Sequence, residues 1–328
     1  MLKVLKWFGI VFGIIIIAVI AFVQLSWDKK HTAPYPQIFA STDSAVIEHG
    51  RYLAYGAAHC ASCHMPFDKF QEVENGAQPP LMGGWGLEIE GFGKFYAPNL
   101  TPDMETGIGK RTDEELARSM RHSITHEGAF MMPFMPFQEM SDEDLTAIIS
   151  FLRSQEPVKN EVPRSEYAFM GKAVLAFGLL KPVGPKQTPP KSIAIDSTIE
   201  YGKYLANNVG NCLFCHTSFD QKTGKQTGQD FAGGGLFMPD NLSEGFGFVS
   251  PNITPDKSTG VMANWTEEHF IARFRAGRVH QGSPMPWGAY SRLNEMDLKA
   301  LYRYLKSLEP VENKVEQTVY TPDEKIPK

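Results

Sequence analysis

The sequence predicts an all-α fold in which two copies of one helical module follow an N-terminal membrane-spanning helix. Three observations carry that expectation: an uncharged apolar block from Trp7 to Leu25, a repeat that lays the second half of the chain on the first, and a 3.6-residue apolar period at matched places in both copies. At 328 residues, 42% of them hydrophobic, the chain is long enough for two ordinary domains and extra segments. Lys+Arg 32 against Asp+Glu 37 gives a net charge of −5, and no basic run or aromatic-interleaved stripe follows a phosphate backbone, which argues against a nucleic-acid partner.

The apolar block comes first. At about 1.5 Å rise per residue, it nearly matches a hydrocarbon core of roughly 30 Å. Trp7 and Trp27 bracket it at the depths where indole rings favour the headgroup boundary, and Lys3 and Lys6 lead it. A cleaved signal peptide is the competing reading, but Phe22, Val23 and Gln24 provide no small-x-small cleavage site. Residues 1–30 are therefore expected to remain as an anchor. Charge does not orient it, because Lys29 and Lys30 flank the far end.

The repeat organises the rest. Ile47 to Ala54 (IEHGRYLA) lies on Ile199 to Ala206 (IEYGKYLA), and Cys60 to His64 (CASCH) on Cys212 to His216 (CLFCH). Pro98 to Asp103 (PNLTPD) lies on Pro251 to Asp256 (PNITPD), each followed by Thr-Gly at Thr106 and Thr259. His126 and Gly128 then match His280 and Gly282, Met132-Pro133 matches Met285-Pro286, and Leu152 to Pro157 matches Leu305 to Pro310. Two copies at so long a period imply duplicated domains, each with its own core, over residues 41–160 and 193–315. Prolines at 182, 185, 189 and 190 mark residues 161–192 as a linker, and residues 316–328 form a tail. Tyr167 to Leu180 is apolar enough to need cover, expected at the interface between the domains in preference to the membrane surface.

Local patterns inside each copy are helical. Ser141 with Asp144, and Asn294 with Asp297, place a capping oxygen and a first-turn carboxylate ahead of apolar residues at i, i+3, i+4 and i+7: Leu145, Ile148, Ile149 and Leu152, then Leu298, Leu301, Tyr302 and Leu305. Thr112 with Glu115 is a capping box, and Thr266 opens the partner helix. Gly50 and Gly202 fall inside helices, where glycine costs about 1 kcal/mol relative to alanine, so a close crossing against Phe151 or Tyr304 is expected to require them.

The chemistry lies in two CxxCH motifs, Cys60, Cys63 and His64 in one copy and Cys212, Cys215 and His216 in the other, which together use all four cysteines. This spacing lets two thiols add across the vinyl groups of one haem while the adjacent imidazole ligates the iron. A thioredoxin-like dithiol would need a strand-to-helix turn of an α/β unit, and zinc sites would each need a fourth ligand. The expected cofactors are two covalently bound haem c groups. Their attachment follows export, which places the haem domains in the periplasm on a single-pass inner-membrane anchor.

The sixth iron ligand decides between electron relay and substrate chemistry. Met132 and Met285 both stand nine residues before the matched caps Ser141 and Asn294 and are the expected ligands, although Met131 and Met135 crowd the first site. His126 and His280 also superpose and are the rival pair; the bland reading sets them on the approach loop. His31, His49, His59, His122 and His269 lack matched partners and are expected to be solvated or locally bonded, and Met65 to pack without ligating. Met/His ligation raises the reduction potential above that of bis-imidazole sites. Haem should also complete each core, so that neither domain folds well without it.

These motifs in this order resemble the class I cytochrome c domains of cytochrome subunits in membrane-bound alcohol, gluconate and related dehydrogenases. The resemblance covers both copies and excludes anchor and linker. It implies two tandem class I cytochrome c domains, haem attachment at Cys60, Cys63, Cys212 and Cys215, proximal ligation by His64 and His216, and distal ligation by Met132 and Met285. It also implies that Asn99, Asn252 and Trp265 lie near haem edges or propionates; Lys110 and Arg111 stand where the first copy would carry the tryptophan, so the two environments should differ. The subunits it resembles commonly carry three haem domains, whereas two are present here. The expected function is electron transfer, with no catalytic residue, from a dehydrogenase or quinol-oxidising complex to a terminal oxidase or soluble cytochrome. A dihaem enzyme, a peroxidase or sulfur-compound dehydrogenase with one substrate-accessible haem, is the alternative. A third reading is an anchor that mainly holds a respiratory assembly together.

Overall fold

The computed structural model of the chain describes residues 2–220, 225–240 and 243–326. The apolar block forms α1 (Leu2–Ser26), a helix long and apolar enough to cross a membrane. Among its described side chains only Val23 is buried, and most of the others are exposed.

The first copy follows as α2 (Ser44–Tyr55), 3-10 turns at Cys60–Ser62 and Phe67–Lys69, α3 (Phe70–Glu74), β1 (Gly86–Ile89), β2 (Gly93–Tyr96), α4 (Asp113–His122), α5 (Asp142–Ser154) and β3 (Glu166–Tyr167). After α6 (Phe169–Ala176), the second copy begins with α7 (Ile199–Tyr204), which runs on as a π turn over Leu205–Val209, then α8 (Cys212–Cys215), β4 (Leu236–Phe237) and β5 (Gly247–Val249). It ends with α9 (Glu267–Arg275), α10 (Trp287–Tyr290), α11 (Glu295–Ser307) and β6 (Val319–Tyr320).

Each copy is built on one helix crossing, α2 on α5 and α7 on α11. A methyl group on Gly50 would overlap the Ala147 carbonyl and press on Phe151 Cβ; on Gly202 it would overlap the Ala300 carbonyl and press on Tyr304 Cβ. The glycines are thus required by backbone contact, which outweighs their poor helix propensity. The caps stand as expected. Ser141 accepts from Asp144 N, Asn294 from Asp297 N, Thr112 and Glu115 close a reciprocal box, and Thr266 accepts from His269 N.

Three expectations are corrected. The fold is only approximately all-α, because each copy adds a small antiparallel sheet, β1-β2-β3 and β4-β5-β6. The outer strands β3 and β6 come from segments expected as linker and tail, and pair Gly93 with Tyr167 and Gly247 with Tyr320. Strands of two residues are too short for period-2 alternation to show in sequence. Second, Tyr167 to Leu180 is not packed between the copies; α6 lies against the C-terminal end of α1, with Phe22 and Phe177 rings 5.3 Å apart. Third, the two cores are not separate: one continuous apolar cluster runs from Leu53 and Phe151 through Leu293 to Leu298 and Leu305.

The copies meet across a near-symmetric seam. Tyr52 of α2 donates to Asp297 at the start of α11, and Tyr204 of α7 donates to Asp144 at the start of α5 at 2.5 Å. Each hydroxyl also accepts from the other copy's cap residue, Asn294 N for Tyr52 at 2.8 Å and Ser141 N for Tyr204 at 3.0 Å. This is the reciprocal pattern of an isologous contact, here made inside one chain.

Candidate functional site

In both copies the chain enters CxxCH through a residue in the left-handed region, His59 at φ 39° and Asn211 at φ 55°. That reversal comes after the preceding helix has ended and starts a short new turn on the first cysteine. His64 N then donates to Cys60 O at 2.9 Å, and His216 N to Cys212 O at 2.9 Å, so each motif is one helical turn with its imidazole directly following the second thiol.

The second matched loop, PN(L/I)TPD, orients that imidazole. His64 Nδ1 is 2.9 Å from the Pro98 carbonyl, and His216 Nδ1 is 3.0 Å from the Pro251 carbonyl. A carbonyl only accepts, so Nδ1 carries the proton and Nε2 keeps its lone pair. Burial holds both imidazole pKa values below the ordinary 6.5, with the carbonyl bond opposing, which favours the neutral ligating form. The loops approach closely because Gly83 (φ 72°) and Gly233 (φ 79°) donate to the His64 and His216 carbonyls at 2.9 and 2.8 Å; side chains there would overlap Pro98 and Pro251.

Asn99 and Asn252 hold this loop together. Both are 1% exposed. Asn99 Nδ2 donates to Val158 O at 2.8 Å and its Oδ1 accepts from Thr101; Asn252 makes the same bonds to Val311 O and Thr254. Asp103 and Asp256 close each loop on Thr106 and Thr259. Trp265 stacks on His269 with centroids 4.7 Å apart.

The cysteines are free and half-buried, with burial pushing Cys60 and Cys212 up to about 12 and Cys63 and Cys215 up to about 11. Cys212 lines an apolar cavity with Leu205, Phe274, Tyr290, Leu293 and Leu301. Met132 and Met285 occupy the same backbone turn: Phe134 N donates to Met132 O, and Trp287 N to Met285 O, both at 2.8 Å. Met285 packs against the core in the second copy, whereas in the first copy it is Met135 that packs against the core, and Met131 N is tied to Ser123 O. His126 faces Glu127 at 3.5 Å and His280 is exposed. His59 bonds the Ala57 carbonyl, His49 bonds Asp144, and Met65 is buried.

Sequence reasoning missed the Pro98 and Pro251 carbonyls as imidazole acceptors; the duplicated Pro-Asn was the available signal. It also missed Tyr52 and Tyr204, which the repeat aligns without showing what they reach.

Paired free thiols one helical turn apart, and an imidazole whose far nitrogen is held by a carbonyl, suit a haem bonded through two thioethers and ligated through Nε2. That arrangement is the one that covalent attachment of haem c requires. The comparisons agree: residues 48–156 match the family described as Cytochrome c, so the chain contains a cytochrome c domain. It is 30% identical over 289 residues to the alcohol dehydrogenase (quinone) cytochrome c subunit of Gluconobacter oxydans, covering 82% of this chain and 56% of that protein. It is 26% identical over 303 residues to the gluconate 2-dehydrogenase cytochrome c subunit of Pantoea cypripedii, covering 87% of this chain and 64% of that protein. It is 27% identical over 299 residues to a dihaem c-type cytochrome of Cereibacter sphaeroides, covering 87% of this chain and 93% of that protein. The chain spans little more than half the length of the dehydrogenase cytochrome subunit it matches at 30%.

Proposed function

We propose that this chain is a membrane-anchored dihaem cytochrome c, made of two tandem class I domains over residues 41–160 and 193–315, that relays electrons in the periplasm. The single observation supporting it most is the duplicated imidazole bond, His64 to Pro98 O and His216 to Pro251 O, each next to a CxxCH turn. Two such sites in one chain are two sets of haem-binding groups. Cys60, Cys63, Cys212 and Cys215 supply the thioether sulfurs, His64 and His216 the proximal nitrogens, and Met132 and Met285 the distal sulfurs. Haem bound in this way supplies a one-electron iron couple.

The chain's own groups set the conditions for that couple. The carbonyl bond at Nδ1 fixes the tautomer and plane of each imidazole and raises its basicity. The apolar wall around Cys212 excludes water from one edge of the second site. With Met132 and Met285 as the second ligands, each iron would be closed to substrate and would serve electron transfer alone. The donor is a dehydrogenase or quinol-oxidising complex and the acceptor a terminal oxidase or soluble cytochrome, with α1 retained in the inner membrane. The names of the dehydrogenase cytochrome subunits support this reading of the partners.

Two measurements on purified protein test it. Haem quantified as its pyridine derivative should reach two per chain, and the oxidised protein should be uniformly low-spin with a methionine-to-iron charge-transfer band. One haem per chain, or a high-spin centre at rest, overturns the dihaem relay. Conversion of Met132, and not of Met131 or Met135, should abolish the charge-transfer contribution of the first site.

A further inference from the structure

The segment after the first copy leaves large apolar side chains bare where α1 ends. Phe169 is 49% exposed, Met170 60%, Phe177 56% and Leu179 74%, beside Phe22 at 44% and Leu25 at 87% on α1. These form one apolar shelf, continuous with the helix, because Phe22 and Phe177 are in ring contact and Val23 is buried beneath. We propose that this shelf, α6 with the Phe177–Leu179 turn, lies in the headgroup–acyl boundary of the bilayer that α1 crosses and holds the first copy against the membrane surface. The inference rests on the reading of α1 as a retained anchor.

Depth supports the assignment. Phe22 lies three residues before Leu25, about 4.5 Å along the axis at about 1.5 Å per residue, so Phe177 lies within one turn of the end of the apolar stretch. Around the shelf are the groups that favour a headgroup layer. Trp27 packs on Tyr167 with centroids 5.8 Å apart, Lys172 lies 5.1 Å over the Trp27 ring, and Lys29 Nζ donates to Ala176 O at 2.8 Å. Lys181 is exposed just beyond. Aromatic rings at the boundary and cationic ends reaching phosphate are the composition of interfacial segments. A soluble face would leave this apolar patch in water.

The shelf is joined rigidly to the first copy. Ala168 N donates to Phe92 O at 2.9 Å, Gly171 is pressed so close to Phe92 that a side chain would overlap its carbonyl, and Tyr167 pairs with Gly93 in the sheet. The first haem-binding site is therefore the membrane-proximal one, and the height of its copy above the bilayer is set by the shelf as well as by the tether.

The test uses full-length haem-loaded protein in vesicles of phosphatidylethanolamine and phosphatidylglycerol, with one nitroxide label at a time on Leu179→Cys, on Ile15→Cys within α1, or on exposed Val279→Cys in the second copy. The expected result is an oxygen-to-nickel accessibility ratio several-fold higher at 179 than at 279, between the values at 279 and 15. A ratio at 179 equal to that at 279, with 15 still immersed, overturns the shelf and leaves the anchor standing. A label at 179 shielded from both reagents would place a protein partner there and overturn the lipid assignment. An aqueous value at 15 would overturn the anchor reading itself, and the shelf with it.

Discussion

The two copies use the same architecture around one buried carboxylate each, and fill it differently. In the first, Asp144 takes His49 from its own copy at 2.6 Å and Tyr204 from the other. In the second, Asp297 takes Tyr201 from its own copy at 3.1 Å and Tyr52 from the other. The crossing partner is tyrosine both times; the resident partner changes from a titratable imidazole to a phenol. Burial raises the Asp297 pKa, with both phenols opposing, whereas the Asp144 bond raises that of His49. One side of the seam thus carries an imidazole whose pKa is raised by its carboxylate partner, while Tyr52, Tyr201 and Tyr204 are all held protonated mainly by burial. The seam also carries contacts that have no symmetric mate among the described residues. Arg278 pairs with Glu74 at 2.9 Å, Arg292 donates to the Tyr55 and Val73 carbonyls, and the His59 ring meets Tyr290 edge-on at 5.7 Å. Near-symmetry thus docks the copies, and these added bonds join α3 to the second copy.

The largest effect should come from removing one site. Cys212→Ser with Cys215→Ser should lower the haem count from two per chain to one, and, because the core is continuous, should also lower the unfolding temperature of the first copy followed by its own haem absorbance. An unchanged first copy would show that the copies are energetically independent. Next come Gly50→Ala and Gly202→Ala. Both force a methyl group into a carbonyl and should each destabilise by about 3 kcal/mol in denaturant unfolding, consistent with overpacking. Equal losses support equivalent crossings, and a loss at only one breaks the equivalence.

Smaller differences should separate the seam's two sides. Tyr52→Phe deprives the fully buried Asp297, and Tyr204→Phe the slightly less buried Asp144, of a hydroxyl donor, with expected losses of about 2 and about 1 kcal/mol. The smallest effect is pH-dependent. His49 has a folded pKa raised above its ordinary 6.5, so its contribution is fully present below about 6.5 and fades as pH rises through the raised value. The stability gap between wild type and His49→Gln should therefore be widest in mild acid and close toward alkaline pH, and a gap independent of pH would remove the imidazole from the comparison.

Much of the site was legible because its chemistry is local. CxxCH is contiguous, and Met132 and Met285 share a register with caps that the structure confirms at Ser141 and Asn294. The imidazole acceptors were hidden because a backbone carbonyl has no side-chain signature, and the clamping bonds of Asn99 and Asn252 were hidden because their acceptors, Val158 O and Val311 O, lie far along the chain. The strands β3 and β6 were hidden because two residues carry no period.

What the sequence by itself determined is what spacing along a chain can encode: a duplicated module, two thiol pairs each with its imidazole, helix starts, and a rod apolar enough for a bilayer. What only the tertiary structure decided is which distant surfaces meet. Tyr52 finding Asp297, α6 lying on the end of α1 and not between the copies, and one core in place of two all depend on contacts between residues far apart in sequence. Such contacts arise from shape and burial in three dimensions, and no local periodicity records them.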